Sequence, residues 1–461
     1  MALKPLTAAG IPWGKPLAKP TFQYSETGAA EVFAAECGDR VRFDHRRQRW
    51  LIWQGHRWVP DVDGAIMRLV IEFVRRQQHT AVDITDLFAR QQALDHWMKY
   101  DRLANQTTLL AIAKNLPPIA DAGAMWDPDH LLLGVPNGVI DLQTGSLRPG
   151  RPGDRITRST SVPFDQTAAC PRWERFIVDV FDDDRPRIQF VHRALGYSLT
   201  GLTNEQVLFL CYGTGQNGKG VLLRTIGTIL LDYASTMPSS TIEMTRGGGI
   251  PNDVAALDGP RFVMANETND GCRIDEARVK ALTGSDPVTA RFLHGEFFTF
   301  TPRATFWLAS NHLPQVRDDS YGFWRRIRQL PFERTFPMTP GLEEALAAEA
   351  PGILSWLVRG CLLWQAEGLC TPDSVVAATD AYRATSDVLG DFIREACELE
   401  DSAQVGAADL FQHYIVWAMK SGLSERERLT STKFGTKVSA RFKRVHSKHG
   451  KVYHGVARRG L

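Results

Sequence analysis

No stretch of about 18 consecutive apolar residues occurs in the chain, so it offers no candidate for a membrane-spanning helix. The proline-punctuated start (Pro5, Pro12, Pro16, Pro20) has no apolar core of the kind an export signal carries. Cysteine is sparse. Cys37, Cys170, Cys211, Cys272, Cys361, Cys370 and Cys397 lie far apart, with neither C-x-x-C nor paired-ligand spacing. That excludes a disulfide framework and a zinc site, and an odd set of scattered thiols fits a reducing cytoplasm. Excess charge is missing too. The net charge is +2, so any nucleic-acid contact must come from local patches. No internal repeat is visible. One local absence stands out: no Asp or Glu follows Glu427, whereas Lys433, Lys437, Arg441, Lys443, Arg444, Lys448, Lys451, Arg458 and Arg459 do. With 461 residues the chain has room for about two to four domains and ample core.

What is present is organised around VLFLCYGTGQNGKGVLLRTIGTILL at 207–231. Its opening run, 207–212, is apolar throughout and predicts a strand buried on both faces, as in a parallel sheet. Glycine-rich residues 213–220 follow, then apolar residues at helical spacing (Val221, Leu222, Thr225, Ile226, Ile229). Strand, glycine loop and helix are the setting in which G-x-x-x-x-G-K means phosphate binding. Glycines let backbone N–H groups face a phosphate, and the helix N-terminus adds its positive end. Nucleotide contacts are expected from Gly213, Thr214, Gly215, Gln216, Asn217, Gly218, Lys219, Gly220 and Val221, with Lys219 on the β- and γ-phosphates. The residue after the lysine would ordinarily be Ser or Thr, whose hydroxyl binds Mg²⁺. Here it is Gly220, so water must fill that position.

Further along, residues 261–267 read as a strand ending in Glu267, an acid that either holds Mg²⁺ through water or polarises the attacking water. Residues 286–293 and 297–301 flank a three-residue turn with glycine, a hairpin signal. The strand RATFWL at 303–308 ends near Asn311, which either holds water against a γ-phosphate or starts a turn before Pro314. Arg325 and Arg326 in GFWRRIR at 322–328 could stabilise the charge of phosphoryl transfer, while Arg328 suits a basic helix face.

The flanks are more ordinary. Residues 1–27 read as an extended arm, and 32–60 as strands with interleaved Arg42, Arg46, Arg47, Arg49, Arg57 and Trp50, Trp53, Trp58. That is either a nucleic-acid surface or a solvated face over an aromatic core. Asp61-Val62-Asp63 reads as a surface turn before a helix at 65–76. Residues 65–118 are predicted helical, 131–165 short strands with a tight turn at Asn137-Gly138, and 171–200 two helices joined by the capping linker Asp182-Asp183-Asp184. Residues 238–253 form a polar loop. Helices are expected at 342–369 and 377–399, then helix (407–420), turn, helix (431–443) and basic ribbon (444–456). That last pattern suggests a winged helix facing DNA through Lys433, Lys437, Arg441 and Lys443.

Assembled, these blocks resemble the superfamily 3 helicase half of phage and plasmid primase-helicases, a branch of the AAA+ ATPases. LLLGVPNGVIDLQTGSL at 131–147 resembles the family's helicase-associated domain. GTGQNGKG at 213–220 and RFVMANET at 261–268 resemble Walker A and B. KALTGSDPVTARFLHG at 280–295 resembles the B′ motif and DNA-contacting hairpin, FWLASNH at 306–312 motif C, and GFWRRIR the arginine-finger segment. The resemblance implies an α/β fold: an arm (1–30), an α+β associated domain (31–170), an AAA+ parallel-sheet core (171–370) and a helical linker with winged helix (371–461). It implies ATP and Mg²⁺ as cofactors and a homohexamer in which Arg325 or Arg326 acts on the neighbour's nucleotide. Asn311 would be the sensor, and Arg291 and His294 would contact DNA from the hairpin. It also implies 3′→5′ movement on single-stranded or forked DNA in the cytoplasm of a host carrying a phage, plasmid or prophage. No paired acids or zinc cluster precede residue 130, so the expectation is a helicase without primer synthesis or one half of a split system, with a separate primase as a candidate partner. Two other classes remain: a DNA-binding initiator that uses ATP only to assemble, which Gly220 favours, and a monomeric P-loop kinase or switch.

Overall fold

A computed structural model describes residues 23–459 apart from 245–251, 267–271, 292–295, 317–319, 424, 426–427 and 448–449. Residues 1–22 of the expected arm, residues 245–251 of the expected polar loop, Glu267 and His294 therefore lie outside the described residues. The chain divides into two compact units: Met1–Ala168 with Ile229–Asp232, and Ala169–Thr228 with Tyr233–Leu461.

The first unit opens with a helix where strands were expected, α1 (Glu26–Cys37), started by Ser25, whose hydroxyl accepts the Gly28 N–H at 3.0 Å. Its buried face is built from small residues, Gly28, Ala29, Ala30 and Ala34, around Phe33, so apolar periodicity is faint. The strands begin later, at β1 (Val41–Asp44), β2 (Arg49–Trp53) and β3 (Trp58–Pro60). Helices α2 (Ala65–Val82), α3 (Leu87–Met98) and α4 (Leu103–Ala113) follow, as the 3.6-residue pattern predicts. A short β4 (Ala120–Asp121) completes a four-stranded sheet in the order β3-β2-β1-β4. A second sheet, β5 (Leu132–Val135), β6 (Gly138–Asp141) and β7 (Ser146–Arg148), turns at Pro136-Asn137, since Val135 pairs with Gly138.

The second unit begins with α5 (Pro171–Val180) and α6 (Arg185–Tyr197), the latter capped by the Asp184 carboxylate on the Arg187 N–H at 3.1 Å. Then come β8 (Leu208–Tyr212), α7 (Lys219–Leu230), β9 (Ala234–Pro238), α8 (Asn252–Ala255), β10 (Phe262–Asn266) and α9 (Glu276–Thr283). A hairpin, β11 (Val288–Ala290) with β12 (Phe298–Phe300), precedes β13 (Thr305–Ser310), α10 (Tyr321–Trp324) and β14 (Ile327–Pro331). Strands β8, β9, β10, β13 and β14 form one parallel sheet ordered β14-β8-β13-β10-β9. Its centre is apolar on both faces. Leu208, Phe209, Leu210 and Cys211 are buried, each large side chain contributing on the order of 2 kcal/mol, and Trp307 stacks on Phe209 at 4.2 Å. Two strands are additions to the sequence reading, β9 and β14. Arg328 lies in β14, not on a helix face, and the strand edge is covered by helix α13 (Asp373–Thr385).

Helices α11 (Leu342–Ala347) and α12 (Ala350–Glu367) follow. The segment read as one helix at 377–399 is two, α13 (Asp373–Thr385) and α14 (Val388–Ala396), separated at Ser386-Asp387, where the Asp387 carboxylate binds Arg441 at 2.6 Å. The C-terminal part then runs β15 (Cys397–Glu398), β16 (Gln404–Gly406), α15 (Ala407–Lys420), α16 (Ser431–Arg441), β17 (Arg444–Ser447), β18 (Gly450–His454) and β19 (Ala457–Arg458). Strands β16-β18-β17 form a small sheet beside helices that share the buried residues Phe392, Leu410, Tyr414, Phe434 and Val438. No helix among the described residues is long and apolar enough to cross a membrane.

Candidate nucleotide site on the parallel sheet

Strand β8 delivers the chain to the rim of the sheet, and residues 213–218 turn there before α7. A Cβ on Gly213 would meet the Asn217 amide at 2.1 Å and the Phe332 carbonyl at 2.4 Å, so only glycine fits. Gly218 has φ +82°, where side chains are strained. The loop is held down by the segment after β14. The Phe332 N–H donates to the Tyr212 carbonyl at 2.7 Å, and the Phe336 N–H to the Gln216 carbonyl at 2.7 Å. Thr214 and Gln216 are exposed, while Asn217 and Lys219 are buried.

Lys219 is 6% exposed. Its ammonium donates to the Gly213 carbonyl at 2.6 Å, to Asn217 Oδ1 at 2.8 Å and to Asn311 Oδ1 at 3.1 Å. The Asn217 amide in turn donates to the Phe332 carbonyl at 3.1 Å, so Asn217 braces the loop and aims the lysine. A lysine ammonium at the mouth of a glycine loop suits an anion there. The donors, the glycine cradle and the charge together fit a phosphate. Beneath the loop, burial pushes the Cys211 thiol up to about 12, against the opposing effect of Lys219, so that sulfur stays an inert thiol.

Sheet register explains why Asn311 reaches Lys219. Ser310 at the end of β13 pairs with Tyr212 at the end of β8, which brings residue 311 beside the loop. On the other side β10 ends at Asn266, opposite Ala309, so the strand leading to Glu267 stops on the same rim. Magnesium is different. Among the described residues no group of three or more His, Cys, Asp or Glu side chains is placed to hold a metal ion, and Gly220 has no hydroxyl. The described donor set fits nucleotide phosphate, and Glu267, the residue expected to hold Mg²⁺ through water, lies outside the described residues.

Arg325 and Arg326 are elsewhere. They precede β14, whose first residue Ile327 pairs with Leu208, while its last, Pro331, pairs with Tyr212. They therefore sit at the opposite end of the sheet, roughly 13 Å of strand from the loop. Arg325 is exposed and donates to Gln206 Oε1. Arg326 donates to the Gly322 carbonyl, and burial, then the neighbouring Arg325, hold its guanidinium below its ordinary pKa. Burial does the same to Arg328, which donates to the Arg325 and Ile327 carbonyls at 2.7 and 3.0 Å.

The hairpin pairs Val288 with Phe300 and Ala290 with Phe298, and the Arg291 guanidinium lies 5.0 Å over the exposed Phe297 ring. On α16, Phe434 and Val438 face the core, leaving Lys433 exposed and Lys437 half-buried on the outer side. Lys443 is exposed just beyond the helix. Arg441 is committed to Asp387. In the first unit most meander arginines have intramolecular partners: Arg47 binds the fully buried Asp44 at 3.1 Å, Arg42 lies 4.9 Å over Trp58, and Arg57 pairs with Asp232. That favours the solvated face over the nucleic-acid reading there. Asp61 accepts the Ala65 N–H at 2.8 Å and Asp63 pairs with Arg68 at 2.8 Å, a turn that starts α2.

Three known families match successive parts of the chain: "D5 N terminal like" over residues 30–182, a "Family of unknown function (DUF5906)" over 211–326, and "Poxvirus D5 protein-like" over 384–456. A "Putative helicase L207/L206" of Acanthamoeba polyphaga mimivirus is 25% identical, covering 80% of this chain and 43% of that protein. "Putative helicase 022R" of Frog virus 3 (isolate Goorha) is 23% identical, with 64% and 39% covered. "Putative primase C962R" of African swine fever virus (strain Badajoz 1971 Vero-adapted) is 28% identical, with 44% and 22% covered. The chain thus spans about two fifths of the length of the first two relatives. Among solved structures, the apo NrS-1 C-terminal region is 11% identical with a TM-score of 0.48, over 94% of this chain and 100% of that one. Both ends of the chain are D5-like, and its sequence relatives are helicase- and primase-named proteins of large DNA viruses.

Proposed function

We propose, on the premise of this D5-like kinship, that the chain is an ATP-driven DNA helicase or translocase of superfamily 3, with an AAA+ core in residues 171–370. One observation carries most weight. On a parallel sheet where β13 lies between β8 and β10, the buried Lys219 and Asn311 Oδ1 meet at 3.1 Å beside a glycine loop. That arrangement suits a P-loop lysine and a sensor sharing one γ-phosphate. Lys219 binds phosphate, Asn311 orients the attacking water, and Glu267 polarises it. Arg325 and Arg326, on the far end of the sheet, act on the nucleotide of a neighbouring copy in a homohexameric ring. Arg291 and the hairpin tip face DNA in the ring's centre, moving 3′→5′ on the strand. The helices and ribbon of 371–461 act as a winged helix, with Lys433, Lys437 and Lys443 on phosphates. Residues 31–170 are the associated domain. Lys219→Ala is expected to abolish DNA-stimulated ATP hydrolysis, and unchanged turnover would overturn the site.

Gly220 supports one alternative, an initiator that uses ATP only to assemble on DNA. Strand displacement driven by ATP, but not by a non-hydrolysable analogue, separates the motor from the initiator.

A further inference from the structure

The position after the P-loop lysine lacks its hydroxyl, but the space beside it is filled. A Cβ built on Gly220 would lie 2.7 Å from Arg224 Nη1 and 3.4 Å from its Cζ. Residues 220 and 224 are one turn apart on α7, and helical side chains lean toward the N-terminus, so an arginine at 224 naturally lays its head over residue 220. Its orientation is braced. Arg224 Nε and Nη2 donate to the Glu343 carboxylate at 3.3 and 2.5 Å, which leaves Nη1 as the atom over Gly220. The guanidinium is 54% exposed, so a bound anion can reach it.

This is the volume in which a Ser or Thr hydroxyl would stand and present a divalent ion to the phosphates. Glycine at 220 and arginine at 224 are therefore complementary: the first clears the space the second fills. Arginine brings a permanent charge with planar donors suited to phosphate oxygens. We propose that Arg224 takes the place of the P-loop hydroxyl, so that its guanidinium neutralises the nucleotide phosphate at the start of α7 and binding does not depend on a hydroxyl-held divalent ion. Glu343 is the positioning residue that keeps Arg224 turned toward the loop. The inference rests on residues 213–221 being a nucleotide site.

The test is equilibrium binding of a fluorescent N-methylanthraniloyl-ADP to the full chain, once with Mg²⁺ and once with EDTA. Wild type is expected to bind within about threefold of its Mg²⁺ affinity in EDTA, while Arg224→Ala loses about tenfold or more in EDTA, the worth of one charge-assisted phosphate contact. Arg224→Lys should retain much of the EDTA binding. Gly220→Ser should displace Arg224 and make binding Mg²⁺-dependent. Arg224→Ala binding like wild type in EDTA, with matched thermal melts, would overturn the proposal, as would a wild type that loses more than about tenfold on chelation. Lys219→Ala keeps the two levels apart. If it binds as tightly as wild type under both conditions, the nucleotide site itself is wrong. If only the Arg224 variants are silent, the site stands and the role of Arg224 falls.

Discussion

The two ends of the five-stranded sheet are built in opposite ways. At the end where β8 and β13 stop, side chains from separate strands converge: Lys219 gathers Gly213, Asn217 and Asn311 within 3.1 Å. At the end where β14 starts, Arg325 donates to Gln206 and Arg326 to the Gly322 carbonyl, and the Arg326 Nε is buried with no hydrogen-bond partner among the described residues. One end is assembled by a single chain. The other holds cations whose hydrogen-bond partners among the described residues are neutral, with Asp286 acting on Arg326 electrostatically. A partly buried guanidinium such as that of Arg326 gains from an anion brought to it. That contrast is what the proposed division of the chemistry between copies requires, with phosphate gripped at one end and charge compensation offered from the other.

That comparison can be broken in graded steps. Lys219→Ala should remove ATP turnover altogether, measured with and without single-stranded DNA. Arg326→Ala should cut turnover by about 10³-fold, as loss of an arginine acting in trans does, while nucleotide affinity stays within about twofold. A large loss of affinity would mean that the two ends serve one chain after all. Asn311→Ala is expected to cost about 10²-fold in turnover, since a water-orienting amide is lost but the phosphate grip remains.

Acid tests the scaffold common to both ends. His192 on α6 stacks on Trp356 of α12 at 3.8 Å and donates Nε2–H to the Trp356 carbonyl at 2.7 Å. Burial lowers its pKa from 6.5 to about 4. The unfolded chain binds this proton first, so stability falls as pH drops from 6.5 toward 4, by about 3 kcal/mol at most from this group. Thermal melts across that range should show the loss, and His192→Gln should flatten it. The smallest effect is expected on α16. Lys433→Ala should lower the salt dependence of DNA binding by about one phosphate contact. Arg441→Ala should act mainly on stability, because its head is held by Asp387.

The parallel-sheet core was legible because its strands are apolar and its loop is chemically distinctive. Residues 207–212 and 303–308 announce buried strands, and GTGQNGKG announces the turn between strand and helix. The sheet's outer strands were not. In β9 only Met237 is buried, and β14 carries Arg328 and Gln329 within a run that reads as a basic helix. The Gln329 backbone N–H donates to Thr379 Oγ1 of α13 at 3.0 Å, a partner 50 residues away. At the break between α13 and α14, Asp387 likewise meets an arginine that lies 54 residues on. For the site, the residue types named Lys219 and Asn311, but not the bracing role of Asn217, which depends on the Phe332 carbonyl. Arg224 had a signal that could have been read: a glycine where a hydroxyl belongs, followed one helical turn later by an arginine.

The central claim is that one site is shared between the phosphate-binding end of one copy and the arginine end of the next. Mixing Lys219→Ala with Arg326→Ala and measuring ATP hydrolysis tests it directly. Each variant alone should be inactive, and mixtures should regain activity that peaks near equal proportions, because some interfaces then pair an intact loop with an intact arginine. No recovery at any ratio, with both variants still assembling, would contradict the account.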